Sequence, residues 1–187
     1  MKRYSFFALG GLLIVGSVLV YEGRGQPAGG PADGFSIHVT APHIMGDHLI
    51  DPMHHFCKLI SQDPVLIQCL MFSADAGDDP NARLLGIEYI ADKALTRAKV
   101  NLGVWNRDWH DHVPEIEAGV LKLPELSGEA AQKIVDVVSG TDGIVFITWP
   151  ETEPLPSEAK AGIAQAVSHE IVTPDEYVEP LSAANRR

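Results

Sequence analysis

Cysteine is nearly absent from this chain, with two in 187 residues. That scarcity excludes a small disulfide-knit scaffold, which needs several bridges to offset a thin core. Basic residues are short too: 14 Lys+Arg stand against 25 Asp+Glu, a formal net charge of −11. No basic stripe is present to neutralise phosphates, which argues against nucleic-acid binding. No Walker loop and no Gly-x-Gly-x-x-Gly occur, so the common nucleotide cradles are missing. Gly-x-Ser-x-Gly is also absent, and the serines form no local triad pattern. Neither an internal repeat nor a heptad run is found.

What is present suits one globular domain with short extensions: 45% of residues are hydrophobic and 21% charged. A domain of about 150 residues removes roughly two-thirds of its unfolded surface from water. Lys2 and Arg3 precede an uncharged apolar run of 18 residues, Tyr4 to Tyr21. A basic start followed by such a run reads as a signal peptide or a signal anchor over residues 1–21. At 1.5 Å per residue it is just long enough to cross a hydrocarbon core of about 30 Å. Both readings export the rest of the chain, to the periplasm or another extracytoplasmic space, freed by cleavage or tethered to the membrane through residues 4–21. Residues 22–34 form a Gly/Pro-rich linker. The domain is expected over 35–150 and a Pro-rich extension over 151–187. In that extension the sequence predicts one short helix, from Ser157 to Val167, and no order in the last ten residues.

Within the domain, short β-like runs recur: Phe35 to Thr40, His55 to Ile60, Val65 to Phe72 and Arg83 to Ile90. Turn formers such as Ser61-Gln62-Asp63-Pro64 separate them, so adjacent runs are expected to be antiparallel neighbours. Ala91 to Trp109 has an approximate 3.6-residue period and predicts a helix or two short turns, limited by Gly103. Glu115 to Pro124 alternates and predicts a strand with a bulge at Gly119. On that reading, Glu115 and Glu117 lie on a solvated strand face. Ser127 to Gly140 carries the signals of a capped amphipathic helix, and Gly143 to Trp149 those of a buried strand. Strands interrupted by helices without regular β-α-β alternation predict an α+β domain. Its sheet is mostly antiparallel with a few flanking helices, preceded by the N-terminal apolar helix.

The chemical signal is histidine. Seven of the eight histidines fall between residues 38 and 112. Neutral imidazole is a common ligand for zinc and related metals, and such sites gather donors from separate segments. His110 and His112 sit at i and i+2, which puts both on one face if the backbone is extended. The same spacing pairs His55 with Cys57. Glu88 lies among Leu84, Leu85, Ile87 and Ile90, where a buried carboxylate needs a metal, Arg83 or a histidine against its charge. A candidate divalent-metal site, zinc being the example, therefore combines His54 or His55 with Glu88, His110 and His112, and Asp111 supports it or substitutes. His38, His43, His48 and His169 are read as structural or exposed. Cys57 and Cys69, the only cysteines, are either a disulfide in an oxidising compartment or two small buried residues on neighbouring strands.

Five blocks stand in order: His54-His55-Phe56-Cys57, Gln68-Cys69, Ala82 to Ile90, Trp109-His110-Asp111-His112, and Glu115 to Pro124. Together they resemble the oil body-associated protein family, plant proteins with bacterial and fungal relatives, whose domain has no assigned function. The resemblance runs from about Phe35 to Pro124, with a weaker continuation to Trp149. Matching positions are His54, His55, Cys57, Gln68, Cys69, Arg83, Gly86, Glu88, Tyr89, Trp109, His110, His112 and Gly119. For plant members the resemblance implies association with seed lipid droplets, and it implies no reaction. The apolar N-terminus and Pro-rich C-terminus depart from the plant pattern, so an envelope location is expected instead.

Two classes of function follow. One is an envelope-associated binding or structural protein whose pocket accepts a metal or a small apolar ligand. The other is a metal-dependent enzyme in which Glu88 and the histidines hold an ion that polarises a substrate or activates water. The first is favoured.

Overall fold

A computed structural model describes residues 34–74, 79–150, 152–156, 162–167 and 169–184. The apolar segment and nearly all of the linker lie outside the described residues. Four hydrogen-bonded strands open the fold: β1 (Ile37–Met45), β2 (His48–Gln62), β3 (Val65–Phe72) and β4 (Leu84–Asp92). Two short helices, α1 (Lys93–Lys99) and α2 (Leu102–Asp108), lead to β5 (Trp109–Asp111) and α3 (Val113–Glu117). After them come α4 (Gly128–Ser139), β6 (Thr141–Ile147), β7 (Gly162–Ala166) and α5 (Pro174–Ala184). Every strand pairing is antiparallel.

The sheet closes on itself. Strands β4, β3, β2, β1, β7 and β6 are neighbours in that order, and β6 returns to β4 with registers from Gly86↔Ile147 to Asp92↔Thr141. The result is a six-stranded antiparallel barrel, a more specific form of the expected sheet. On the other edge of β6, β7 pairs with Val145 to Ile147, and the short β5 pairs with Asp142 to Ile144. The sheet thus takes its closing strand from beyond residue 150.

Alternation along the strands decides what enters the barrel. Met45, Ile50, Met53, Met71, Leu85, Val145, Ile147 and Ala164 form one apolar cluster. Cys57, Ile67, Cys69 and Ile90 form a second. In β2 the order Met53, His55, Cys57 places a histidine between the clusters, and in β4 the order Leu85, Glu88, Ile90 places a carboxylate there. Cys57 and Cys69 face each other directly across β2 and β3 and are disulfide-bonded.

Of the two forms expected for Ala91 to Trp109, two short helical segments are present, and three other local expectations change. Helical structure begins at Lys93 and breaks at Val100 and Asn101, while Gly103 lies inside α2. The expected strand over Glu115 to Pro124 is instead the end of α3, a positive-φ turn at Gly119, and a single bridge from Lys122 to Thr40. Two residues on a helix are about 200° apart, so over one turn a helix imitates strand alternation. In the segment expected to be helical from Ser157 to Val167, Gly162–Ala166 is β7 and Val167 lies in the turn that follows it. Its alanines favour a helix intrinsically, yet Ala164 and Ala166 are the small inward residues that the closing strand requires. Much of the C-terminus expected to lack order forms α5, started by Pro174. Glu176 Oε2 accepts hydrogen bonds from the Thr173 N–H (2.9 Å) and hydroxyl (2.6 Å).

Candidate functional site

Between the two apolar clusters the barrel holds six buried titratable side chains: His43, His55, Glu88, His110, His112 and Glu115. Each arrives for a local reason. His43 continues the inward series Ile37, Val39, Ala41 of β1, and His55 follows Met53 on β2. His110 is the inward residue of β5, opposite Gly143. His112 is the residue before α3, and Glu115 lies one turn into that helix. Gly143 is a glycine because its neighbours need the space. A Cβ there would collide with Glu88 Oε1 and lie 2.8 Å from His110 Nε2.

Glu88 is the hub. Its Oε1 is 3.2 Å from His110 Nε2 and 3.4 Å from His112 Nε2, and its Oε2 is 3.8 Å from His55 Nε2. Three rings are held from behind. His55 Nδ1 donates to the Met53 carbonyl at 3.1 Å, His112 Nδ1 to the Thr141 carbonyl at 3.1 Å, and His43 Nδ1 makes a longer contact of 3.5 Å to the Ala41 carbonyl. A carbonyl only accepts, so Nδ1 carries the proton and Nε2 is the ring atom presented to the barrel. Among the described residues, His43 Nε2, His110 Nδ1 and Glu115 Oε1 are buried without a hydrogen-bond partner, and the Nε2 atoms of His55 and His110 face the Glu88 carboxylate without a well-aligned hydrogen bond. Such groups are rare in folded proteins because each carries a desolvation cost.

The charges interlock. Burial, reinforced by the neighbouring His55, pulls His43 down to about 3 and keeps it neutral. Burial likewise lowers His55. Burial opposes ionisation of Glu88, but His110, His112 and His55 outweigh it and hold the carboxyl well below its ordinary range. Burial also opposes a charged His112, yet Glu88 and then Glu115 lift it to about 9. Burial raises Glu115. The cluster therefore keeps a proton on His112 against the Glu88 carboxylate, and a cation at the same point competes with that proton.

Two overlapping donor triads emerge, Glu88/His110/His112 and His43/His110/Glu115, with ligand atoms in each triad within 4.8 Å of one another. Of the sequence candidates, the structure brings together His55, Glu88, His110 and His112. His54 is elsewhere: on the outer face, its Nδ1 lies 2.9 Å from His38 Nε2, and His38 Nδ1 is 2.6 Å from Glu125 Oε1. Adjacent strand residues face opposite ways, so only one of His54 and His55 can enter. Asp111 also points outward, to Lys93 at 2.7 Å and Arg97 at 2.9 Å. Arg83 donates to the Glu153 carbonyl and takes no part in balancing Glu88. Sequence reasoning missed His43 and Glu115. Extending the β1 alternation three residues past Thr40, through Pro42, finds the first. The second, beside Pro114 in a five-residue helix, leaves no comparable pattern.

A cavity of about 60 Å³ opens onto the cluster. Its floor is His43, His55, Glu88, His112 and Glu115, and its walls include Val39, Leu59, Ile67, Ile90, Ile134 and Val138. Helix α4 supplies one wall through its buried stripe of Ile134 and Val138.

A closed antiparallel barrel with a buried histidine/carboxylate cluster at the end of an apolar cavity defines the class. The chain belongs to the family described as "Protein of unknown function (DUF1264)", whose model matches residues 30–176, and its relatives are oil body-associated proteins. It is 32% identical over 121 residues to oil body-associated protein 1B of Arabidopsis thaliana, covering 64% of this chain and 47% of that protein. It is 30% identical over 96 residues to oil body-associated protein 2A of Zea mays, covering 51% and 35%. To protein 1A of Zea mays it is 31% identical over 116 residues, covering 60% and 45%. The chain thus spans less than half the length of these relatives. No solved structure matches. Among the described residues, no helix is long and apolar enough to cross a membrane.

Proposed function

We propose that the protein is an exported or membrane-tethered binding protein whose barrel holds one divalent transition-metal ion among His43, His55, Glu88, His110, His112 and Glu115. The carrying observation is the convergence of the His55, His110 and His112 ring nitrogens on Glu88, with His55 and His112 fixed from behind by backbone carbonyls. Metal-ligating histidines characteristically donate their second ring N–H in this way. A set of imidazoles and carboxylates without thiolate suits zinc, manganese, iron, nickel or copper. Cysteine ligation plays no part, because Cys57 is bonded to Cys69. Export is supported by the Lys2-Arg3 start before the uncharged run and by the disulfide, which persists in oxidising compartments.

Elemental analysis of the full chain, purified without a histidine tag, tests the metal reading. One equivalent of metal per chain is expected. The His110→Ala/His112→Ala double variant is expected to lose it, while His54→Ala, on the outer face, keeps it. No metal above background after incubation with zinc, manganese, iron or copper refutes the reading.

A further inference from the structure

The cavity above the cluster is specific about what it can admit. Its floor exposes five of the six donor residues, and His110 does not line it. An ion held there is therefore reachable from one side. The walls are aliphatic, and among the lining residues the only charged side chain away from the floor is Lys133. That lysine is exposed at the rim and pairs with Glu129 at 2.8 Å. Apart from Lys133, already paired with Glu129 at the rim, no wall side chain offers a partner to a second polar group on a guest.

Size and charge narrow the guest further. A cavity of about 60 Å³ has room for roughly four to six water-sized groups, at about 10–15 Å³ each. With an ion bound in place of the His112 proton and Glu115 ionised beside it, Glu88 and Glu115 match the charge of a divalent ion. An anionic guest would leave an uncompensated charge inside an apolar enclosure, at a high desolvation cost.

Resting on the metal reading above, we infer that the cavity takes a short, uncharged aliphatic molecule with one oxygen donor, of the primary-alcohol type. The oxygen sits on the ion and the chain lies between the barrel wall and α4. Affinity comes mainly from burial of the chain, so it rises with chain length until the cavity is full.

Cobalt(II) loaded into the full chain reports on the site through its visible spectrum. Ethanol to hexanol, butyrate and butylamine are titrated against it. Each methylene from ethanol to about pentanol is expected to tighten binding about fourfold, with no further gain beyond. Butyrate and butylamine are expected to bind at least tenfold more weakly than butanol. Val137→Trp, placing a larger ring at an exposed lining residue of α4, is expected to weaken butanol at least tenfold with cobalt content unchanged. Full cobalt content with a spectrum indifferent to alcohols, a flat chain-length series, or butyrate tighter than butanol overturns the ligand class and leaves the metal site standing. Failure to bind cobalt removes the metal site and this inference together.

Discussion

Three consecutive residues of β6 each serve a different part of the molecule. Thr141 accepts from His112 Nδ1 through both its carbonyl and its hydroxyl, and that hydroxyl donates to the Val138 carbonyl. Asp142 turns to the outer side and accepts from Thr96, Arg97 and Trp105 while fully buried. Gly143 leaves room for Glu88 and His110. Gly143→Ala is therefore expected to displace one of those two side chains, costing about 1–3 kcal/mol by overpacking and reducing metal content well below one equivalent. Thermal unfolding and elemental analysis on the same sample check both effects. Unchanged values would mean that the cluster yields freely. Much of this was legible in the sequence at single positions: Glu88, His110 and His112 stood out because apolar neighbours or i, i+2 spacing marked them. His43 is hidden because Pro42 reads as the end of a run that the strand in fact continues to Met45, and Glu115 because one helical turn reads as alternation.

At the scale of elements, β3 matches its expected run from Val65 to Phe72, because Pro64 and the following Ser/Asp-rich segment punctuate both ends. The elements misread were those whose conformation depends on distant partners. Strand β7 is set by β1 and β6, not by its own alanine-rich composition. Helix α5 had a readable local signal, Thr173-Pro174-Asp175-Glu176, which the surrounding prolines obscured. That helix is bound by more than its cap. Tyr177 is buried, its hydroxyl donates to the Val100 carbonyl, and its ring packs edge-on to Trp105 at 6.0 Å. Arg97 Nη1 donates to the Glu176 carbonyl at 3.0 Å. Tyr177→Ala is expected to cost about 3 kcal/mol and Tyr177→Phe about 1 kcal/mol, measured by denaturant unfolding. Equal losses in the two variants would contradict the assignment of most of the stabilisation to the ring.

For the whole molecule, a polar layer between two apolar clusters costs stability when its donors lack partners, and an ion satisfies several of them at once. An ion that binds only the folded state contributes about 2.7 kcal/mol at a free concentration a hundredfold above its dissociation constant. In a chain of this size that raises the midpoint of thermal unfolding by roughly 5–10 °C. Calorimetry of the full chain, before and after a chelator, checks this shift. The His110→Ala/His112→Ala variant is expected to show none, and an equal response in both would place the ion elsewhere.

Closure of the barrel also orders events during synthesis. Strand β1 finds β2 as soon as the hairpin is made, but on its other edge, bridged at Thr40 by Lys122, the pairing of His43 and Ile44 waits for Gly162–Ala166, more than a hundred residues after β1. Until those residues emerge, a nascent chain carries an open strand edge of the kind that invites pairing with other chains. An unclosed barrel also leaves the histidine layer open to water. The cluster therefore takes its buried, mutually constrained form only once β7 is in place, and any fragment that stops before β7 keeps an adhesive edge.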